Sequence, residues 1–214
     1  NILAVLDVMN KILVGMMTAT DICKQQRNNV LFVISDIEKA NNLYELTRCS
    51  WQVPHYFASS AKRPGDFDIV GTVLSQATDV MTRKLITFFQ QQNGEAPMPY
   101  SWLVYGSQAR EDQTMGSDQD NALLLADEPN EEQAAYFEKM AKYVSLGLGK
   151  CGIKLCDGNI MASNPKLRMS LQAAIEQSKG WVRQPTPAAM LSFNIFLDVR
   201  SAAGDPSLFS RLQE

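Results

Sequence analysis

Two aspartates with a single residue between them, Asp118 and Asp120, stand directly before an apolar run of the sequence. Side chains alternate along a β-strand, so both carboxylates are expected to project from the same side. Two carboxylates this close repel each other unless a cation lies between them. Mg²⁺ suits such a site because it binds a few carboxylate oxygens and keeps its other positions for water and phosphate oxygens. Metal-dependent phosphoryl chemistry is one interpretation of the pair, but Asp-x-Asp alone favours the other, a solvated acidic loop between two core strands.

A Gly-Ser pair, Gly106 and Ser107, precedes the aspartates by a gap of ten residues and follows another apolar run. The glycine lets the backbone approach a phosphate closely, and the serine adds a hydroxyl and a main-chain N–H at a predicted helix N-terminus. Because both ends of the segment are anchored in apolar runs, the Gly-Ser pair favours the phosphoryl site over the acidic loop.

This order of residues resembles the nucleotidyltransferase superfamily of DNA polymerase β, kanamycin nucleotidyltransferase and the PII-protein uridylyltransferases. A narrower resemblance is to the nucleotidyltransferase family found in bacterial signalling proteins beside CBS and cyclic-nucleotide-binding domains. The residues that carry it are Gly106-Ser107-x-x-Arg110-x-Asp112-Gln113 followed by Asp118-Gln119-Asp120-Asn121. That family usually has glutamate where this chain has Asp112, a conservative departure that leaves the metal pair in place.

The resemblance implies a third carboxylate on a neighbouring strand, and Asp198 is the matching position. It lies near the end of an apolar stretch over residues 193–199, where an unpaired charge is costly to bury. The implied role of Asp198 is to bind the metal that activates the acceptor hydroxyl and to take its proton. The alternative is an ion pair with Arg200, since residues two apart on a strand share a face.

The resemblance also implies a reaction. A nucleoside triphosphate would lie with its β- and γ-phosphates on Gly106 and Ser107, helped by Arg110, while Asp118 and Asp120 hold Mg²⁺ or Mn²⁺. A hydroxyl of a protein or small-molecule acceptor would then attack the α-phosphorus. Two further hypotheses are a nucleotide-sensing module with little catalysis and a pure interaction scaffold. A sensor has less need of three placed carboxylates, which favours the transferase.

Composition predicts a soluble cytoplasmic protein. With 214 residues and 45% hydrophobic content, the chain can bury one substantial core. No apolar run near ~18 residues and no basic-then-apolar leader is present, so neither a membrane span nor a signal peptide is predicted. A net charge of −3 gives no broad attraction to nucleic acid. Four scattered cysteines suit a reducing compartment, and we interpret Cys151 and Cys156 as buried free thiols because no second Cys/His pair accompanies them.

Three parts are distinguished along the chain. Residues 1–23 predict a hairpin passing into a helix, similar to the closing part of a CBS motif. In that family, the positions of Thr18 and Asp21 can contact the ribose of an adenine nucleotide. We therefore expect the tail of a CBS-type regulatory domain here, and the common pairing of CBS modules suggests a homodimer. Residues 35–94 predict a helical connecting segment, and residues 95–214 the nucleotidyltransferase core.

An α+β fold, with a small mixed sheet backed by helices, is predicted for the core. Strands are expected around residues 102–105, 121–126 and 194–199. These strands must place the two aspartates, the Gly-Ser pair and Asp198 at one edge of the sheet.

Helix start and stop signals flank these strands. In the connecting segment, a capping box of Ser35 and Glu38 predicts a helix that continues until Pro54. A second helix is expected to stop at Gly94. After the motif, a helix is expected to begin at residues 129–132 and to end at glycines 149 and 152.

The segment Met161-Ala162-x-Asn164-Pro165 also resembles the narrower family. It is interpreted either as a wall of the nucleotide pocket or as a simple turn with a helix cap. In the second interpretation, Asn164 caps a helix that runs through Leu167, Leu171 and Ile175.

Overall fold

The structure is a computed structural model that describes residues 2–7, 12–18, 30–60, 66–183, 186 and 196–214. Near the N-terminus, β1 (Ile2–Asp7) and β2 (Ile12–Thr18) pair antiparallel. This pairing confirms the hairpin that was expected there. The turn between the strands and Asp21 lie outside the described residues.

The core sheet contains β3 (Tyr100–Tyr105), β4 (Asn121–Leu125), β5 (Arg168–Ser170) and β6 (Val199–Gly204). The strand order is β5-β4-β3-β6. β3 lies antiparallel to both β4 and β6, whereas β5 lies parallel to β4. The predicted α+β fold with a mixed sheet is therefore confirmed.

Among the described residues, the α-helices are α1 (Val30–Lys39), α2 (Leu43–Ser50), α3 (Val53–Ser60), α4 (Asp66–Asn93), α5 (Gly106–Ala109), α6 (Glu131–Lys150), α7 (Leu171–Arg183) and α8 (Pro206–Gln213). Within these ranges, no helix is both long enough and apolar enough to cross a membrane.

Helices cover both faces of the sheet. Trp102 and Val104 of β3 belong to a core cluster with buried residues of α4 and α6, whereas Leu103 and Tyr105 cluster with residues of α7 and α8. A sheet buried on both faces needs apolar side chains at successive positions. This requirement explains why β3 and β4 are recognisable in the sequence as continuous apolar runs.

The connecting segment differs from the expected single helix before Pro54. Ser35 lies inside α1 rather than at its start, so the predicted capping box with Glu38 is wrong. The helix ends at Lys39, and Asn42 caps the next one by accepting a hydrogen bond from the Glu45 N–H at 2.9 Å. Pro54 lies in the first turn of α3, where a missing N–H removes no helical hydrogen bond.

The end of α4 and the start of α6 both match the signals predicted from the sequence. Gly94 follows α4 with φ +87°, and its N–H donates to the carbonyl of Gln90 at 2.8 Å, which confirms the predicted stop. Asn130 begins α6 in a capping box with Gln133, with hydrogen bonds of 2.9 and 3.0 Å. The predicted start of this helix is thus correct, and Gly152 follows its end with φ +95°.

The expected single helix after Pro165 is wrong. A 3₁₀ turn spans Pro165–Leu167, the short strand β5 follows, and α7 begins only at Leu171. Asn164 does cap the turn, since its side chain accepts from the Lys166 N–H at 3.1 Å. Pairing of β5 with β4 overrides the helical periodicity, because it completes the edge of the sheet.

The last strand begins later than expected. Residues 194–195 lie outside the described residues, and β6 begins at Val199 rather than ending there. Val199 pairs with Tyr105, the last residue of β3. Because the two strands are antiparallel, the start of β6 lies beside the end of β3, and this brings Asp198 next to the Gly-Ser pair.

Candidate functional site

Asp118 and Asp120 project from the same side of the chain just before β4. Their carboxylates and the thiol of Cys156 form a cluster, here called the acid–thiol cluster, whose ligand atoms all lie within 4.8 Å of one another. Gln119, between the aspartates, is buried, and its Nε2 donates to two main-chain carbonyls at 3.1 and 3.0 Å. The chain thus alternates acid, buried amide and acid, as strand geometry requires.

Cys156 lies beside the two aspartates, a position that its spacing in the sequence does not predict. The chain after α6 runs alongside Asp118, which forms a parallel bridge with Lys154, and the Gln119 N–H donates to the Lys154 carbonyl at 2.9 Å. Cys151 is buried as predicted, but Cys156 is only partly buried and faces the aspartates. Cys156 is a free thiol as predicted, but the prediction that it is buried is wrong.

Charge in the acid–thiol cluster is poorly solvated. Burial raises the pKa of Asp120 above its ordinary value of 3.8, the hydrogen bond from the Cys156 thiol opposes this shift, and the charge of Asp118 adds to it. Burial also raises the pKa of Cys156 to about 11. A cation would reverse both shifts because it stabilises ionised ligands. Two carboxylates and a thiol are suitable donors for a divalent cation, and the sulfur adds affinity for softer metals.

Gly106 and Ser107, here called the Gly-Ser turn, follow β3 directly. Gly106 has φ +56°, a left-handed conformation that favours glycine, and it begins the single-turn helix α5. The Tyr105 N–H donates to the carbonyl of Asp120 at 2.9 Å, and the Gly106 N–H donates to the carbonyl of Asp198 at 3.1 Å. The backbone therefore holds the Gly-Ser turn between two of the predicted acidic residues.

The motif loop, residues 112–117, folds back onto this turn. Ser107 Oγ lies 3.3 Å from Ser117 Oγ, which also accepts a hydrogen bond from the Thr114 N–H at 2.9 Å. The Gly116 N–H donates to Thr114 Oγ1 at 3.2 Å. These short-range bonds fix the loop that leads from the Gly-Ser turn to the acid–thiol cluster.

Arg110 links two carboxylates at the mouth of the site. Its Nη1 lies 2.7 Å from Asp198 Oδ2, while Nε and Nη2 lie 3.0 and 3.3 Å from the two oxygens of Asp112. Both hydrogen bonds raise the pKa of Arg110, and the bond to Asp112 has the larger effect. The shorter side chain of Asp112, compared with the glutamate of the resembling family, is thus long enough for a bidentate contact.

Asp198 lies beside the Gly-Ser turn but is not a member of the acid–thiol cluster. Its carboxylate pairs with Arg110, and the alternative pairing with Arg200 does not occur, because Arg200 binds a different carboxylate, Asp79. The role of Asp198 as a metal ligand and proton acceptor stays a prediction.

A buried polar network behind the turn was missed in the sequence. Asp79 of α4 is 7% exposed, and its carboxylate accepts hydrogen bonds from Arg200 at 2.6 and 3.2 Å and from Gln108 Nε2 at 2.9 Å. Arg200 Nη2 also donates to the Gln108 carbonyl at 2.9 Å. An aspartate within the apolar face of a helix was the available signal, since a buried charge requires a partner.

The segment from Met161 to Pro165 packs against the residue that follows Asp120. The Ala162 N–H donates to Asn121 Oδ1 at 2.8 Å, and Arg168 Nη1 donates to the carbonyls of Ala162 and Ser163, each at 2.9 Å. The segment therefore contains the predicted helix cap and also supports the motif. The Arg168 guanidinium is therefore already hydrogen-bonded to the main chain of this segment.

Comparison with known protein families gives a match. The family described as "Putative nucleotidyltransferase DUF294" matches residues 52–188, which is more than half of the chain. The matched span contains the Gly-Ser turn, Arg110 and the acid–thiol cluster, whereas Asp198 lies beyond its end. No curated protein matches the chain.

Proposed function

Because this chain belongs to the DUF294 family of nucleotidyltransferases, we propose that it transfers a nucleoside monophosphate from a nucleoside triphosphate to a hydroxyl of a protein or small-molecule acceptor. One observation carries the proposal: consecutive backbone N–H groups where β3 passes into the Gly-Ser turn are hydrogen-bonded to two acidic residues, Tyr105 to the Asp120 carbonyl and Gly106 to the Asp198 carbonyl. Acidic residues distant in sequence are thereby held against a turn suited to phosphate, and phosphoryl transfer depends chiefly on such positioning.

Asp118 and Asp120 are proposed to hold a divalent cation, Mg²⁺ or Mn²⁺, with the Cys156 thiol beside them. When bound, the cation supplies positive charge that neutralises the oxygens of the α-phosphate and of the departing pyrophosphate. The fit rests on the donor set and on the burial of Asp120, whose ionised form lacks compensation from other charged groups of the cluster.

Ser107 and Arg110 are proposed to bind the β- and γ-phosphates. The guanidinium now donates to Asp112 and Asp198, and phosphate oxygens would compete for the same N–H groups. A phosphate that takes Arg110 leaves Asp198 without its cationic partner. The carboxylate then becomes free to act as a third metal ligand and to accept a proton.

The reaction follows from this arrangement. The acceptor hydroxyl gives its proton to Asp198, and its oxygen bonds to the α-phosphorus as the bond from that phosphorus to the β-phosphate oxygen breaks. Pyrophosphate leaves with the electron pair of the broken bond. The acceptor is proposed to be either a protein tyrosine, as in the PII uridylyltransferases that the sequence resembles, or a small molecule.

The proposal is tested by pyrophosphate release from each of the four ribonucleoside triphosphates, with Mg²⁺ or Mn²⁺ and a cell extract as the source of acceptor. Wild type is compared with Asp120→Asn and with Asp157→Asn, an exposed aspartate paired with Lys154 near the site. We expect a metal-dependent signal that Asp120→Asn abolishes and Asp157→Asn preserves. Absence of any metal-dependent signal that requires Asp120 would refute the transferase.

A nucleotide-sensing module is the second candidate. It is favoured by the pairing of Asp198 with Arg110 outside the acid–thiol cluster, which leaves two carboxylates rather than three at the metal. This candidate predicts that nucleotide binds without turnover, so binding measured by calorimetry beside the pyrophosphate assay separates the two.

We also propose a signalling context in the cytoplasm. The antiparallel pairing of β1 and β2 supports the interpretation of residues 1–23 as the tail of a CBS-type regulatory domain, with residues 35–94 as a connecting segment and residues 95–214 as the catalytic core. A homodimer formed through CBS modules is part of this proposal. Its test is the mass of the full-length protein in solution with and without adenine nucleotides.

A further inference from the structure

A cavity of about 240 Å³ lies between the N-terminal helices, α4 and the motif loop. It is called the helix cavity here, and the lining residues used below include Trp51, Pro54, Met81, Gln113, Met115 and Ser117. Whole small-molecule ligands occupy pockets of roughly 300–1,000 Å³. The helix cavity is therefore suited to part of a ligand, with the remainder lying outside it.

Gln113 supplies the first indication of what the helix cavity binds. Its side chain is 3% exposed, and among the described residues Oε1 has no hydrogen-bond partner. Leaving a buried acceptor unpaired destabilises a protein. This oxygen is itself enclosed, so the Gln113 amide must turn towards the cavity before a ligand N–H can reach it. Such a bond would remove the penalty, so the cavity favours a ligand with N–H donors on a flat or apolar body.

Exposed apolar side chains supply the second indication. Trp51 is 61% exposed and Met115 is 43% exposed, and both line the helix cavity. An exposed indole can stack on a nucleobase, which has a π-face and carries N–H groups on its edges. The Met115 thioether adds apolar contact area beside it. Pro54 and Met81 add apolar wall, and hydroxyl side chains such as Thr78 and Thr114 complete the lining.

The motif loop connects the helix cavity to the site already described. Ser117 lines the cavity, its Oγ lies 3.3 Å from Ser107 Oγ of the Gly-Ser turn, and it directly precedes Asp118. Consecutive residues are 3.8 Å apart between their Cα atoms. The helix cavity therefore lies close to the Gly-Ser turn, where the phosphates of a bound nucleotide are proposed to lie.

We propose that the helix cavity binds the base of the nucleoside triphosphate, with the ring against Trp51 and Met115 and with a base N–H donating to Gln113 Oε1 after the amide turns towards the cavity. This inference rests on the proposed function, because it assigns the base of the same substrate. It also gives the connecting segment a direct part in substrate binding, since Trp51 stands between α2 and α3.

The test is a fluorescence titration of the 214-residue chain with ATP, UTP and inorganic tripolyphosphate, each with Mg²⁺. ATP is expected to change the emission of Trp51, tripolyphosphate is not, and Trp51→Phe should remove the change while Trp102 and Trp181 remain. By calorimetry, Trp51→Ala and Gln113→Ala should weaken ATP binding about 10-fold or more and leave tripolyphosphate binding unchanged. Tyr44→Ala, which removes another exposed aromatic ring of α2, is the matched control.

Each outcome decides between the assignments. ATP binding that is equally tight in Trp51→Ala, Gln113→Ala and wild type overturns the base site and leaves the transferase standing. Variants that raise the KM for the acceptor without weakening ATP binding assign the helix cavity to the acceptor and also overturn it. Failure of both ATP and tripolyphosphate to bind the wild type refutes the proposed function itself. Met115→Ala, an exposed substitution, repeats the test if Gln113→Ala does not fold.

Discussion

Arg200 at the start of β6 and Asp79 in the middle of α4 form a largely buried ion pair, with Nη1 of the arginine 2.6 Å from Oδ2 of the aspartate. Both side chains also bind Gln108, the arginine through the main-chain carbonyl and the aspartate through the side-chain amide. Gln108 follows Ser107 in α5. The Gly-Ser turn is thus fixed from behind by a charge pair between a helix and the edge of the sheet.

Asp79→Ala should lower the free energy of unfolding by about 3 kcal/mol, at the low end of the range for a broken buried ion pair because Arg200 keeps some exposure. Urea denaturation measures this change. Gln76→Ala, exposed on the same helix, should change it by less than about 0.5 kcal/mol. A loss below about 1 kcal/mol for Asp79→Ala would show that the network contributes little.

Asp120→Asn should stabilise the metal-free protein at pH 7. Burial raises the pKa of Asp120 above 3.8, so the folded state holds this proton more tightly than the unfolded state. Wild type therefore gains stability as the pH falls from the raised pKa towards 3.8, whereas the asparagine variant gains none. The advantage in Tm of the variant should shrink between pH 7 and pH 4. An advantage that does not depend on pH would contradict this explanation.

Cys156→Ser should change the metal preference of the acid–thiol cluster. Sulfur favours softer cations, so the variant should lose about 10- to 100-fold in affinity for Cd²⁺ while Mg²⁺ binding changes little. Competition calorimetry measures both affinities, and wild type should show the thiolate-to-cadmium absorption band. Cys151→Ser, a change in a buried thiol outside the cluster, should keep that band. Equal Cd²⁺ affinity in Cys156→Ser and wild type would exclude sulfur ligation.

Arg110→Gln should weaken triphosphate binding without destabilising the fold. The Arg110 side chain is about half exposed, and exposed ion pairs contribute only about 0.2–1 kcal/mol. Charged hydrogen bonds to phosphate are stronger, at about 1.5–3 kcal/mol, so the KM for the nucleotide should rise about 10-fold or more. Lys142→Gln, which breaks an exposed pair with Glu138 on α6, is the control. An unchanged KM would remove Arg110 from the phosphate site.

Local patterns in the sequence predicted that Asp118 and Asp120 lie together and predicted the strands β3 and β4 beside them. The alternation through Gln119 depends only on strand geometry, and β3 and β4 are apolar because both of their faces are buried. The capping pattern alone does not locate helix starts in this chain, because two segments match it, Ser35 with Glu38 and Asn42 with Glu45. Burial decides between them, since Ile37 is fully buried within α1.

Most contacts between distant parts of the chain could not be predicted. The position of Asp198 beside the Gly-Ser turn is the exception, and the family resemblance, not the sequence spacing, implied it. β6 has the sequence Val-Arg-Ser-Ala-Ala-Gly and is mostly half-buried, so it lacks the apolar run that marks a central strand. Asp79 and Arg200 are 121 residues apart, and Cys156 reaches Asp118 only because the chain turns back after α6. In each case the partner is determined by the tertiary fold rather than by sequence spacing.

The hydrogen bond from the Gly106 N–H to the Asp198 carbonyl has a consequence for the order in which the site is completed. During synthesis, a growing chain folds as its residues leave the ribosome, N-terminal parts first. Asp118 and Asp120 emerge long before β6, yet the turn has no carbonyl to bind on that side until residue 198 has been made. A product of early termination before β6 would therefore contain every residue of the motif and still lack a finished turn.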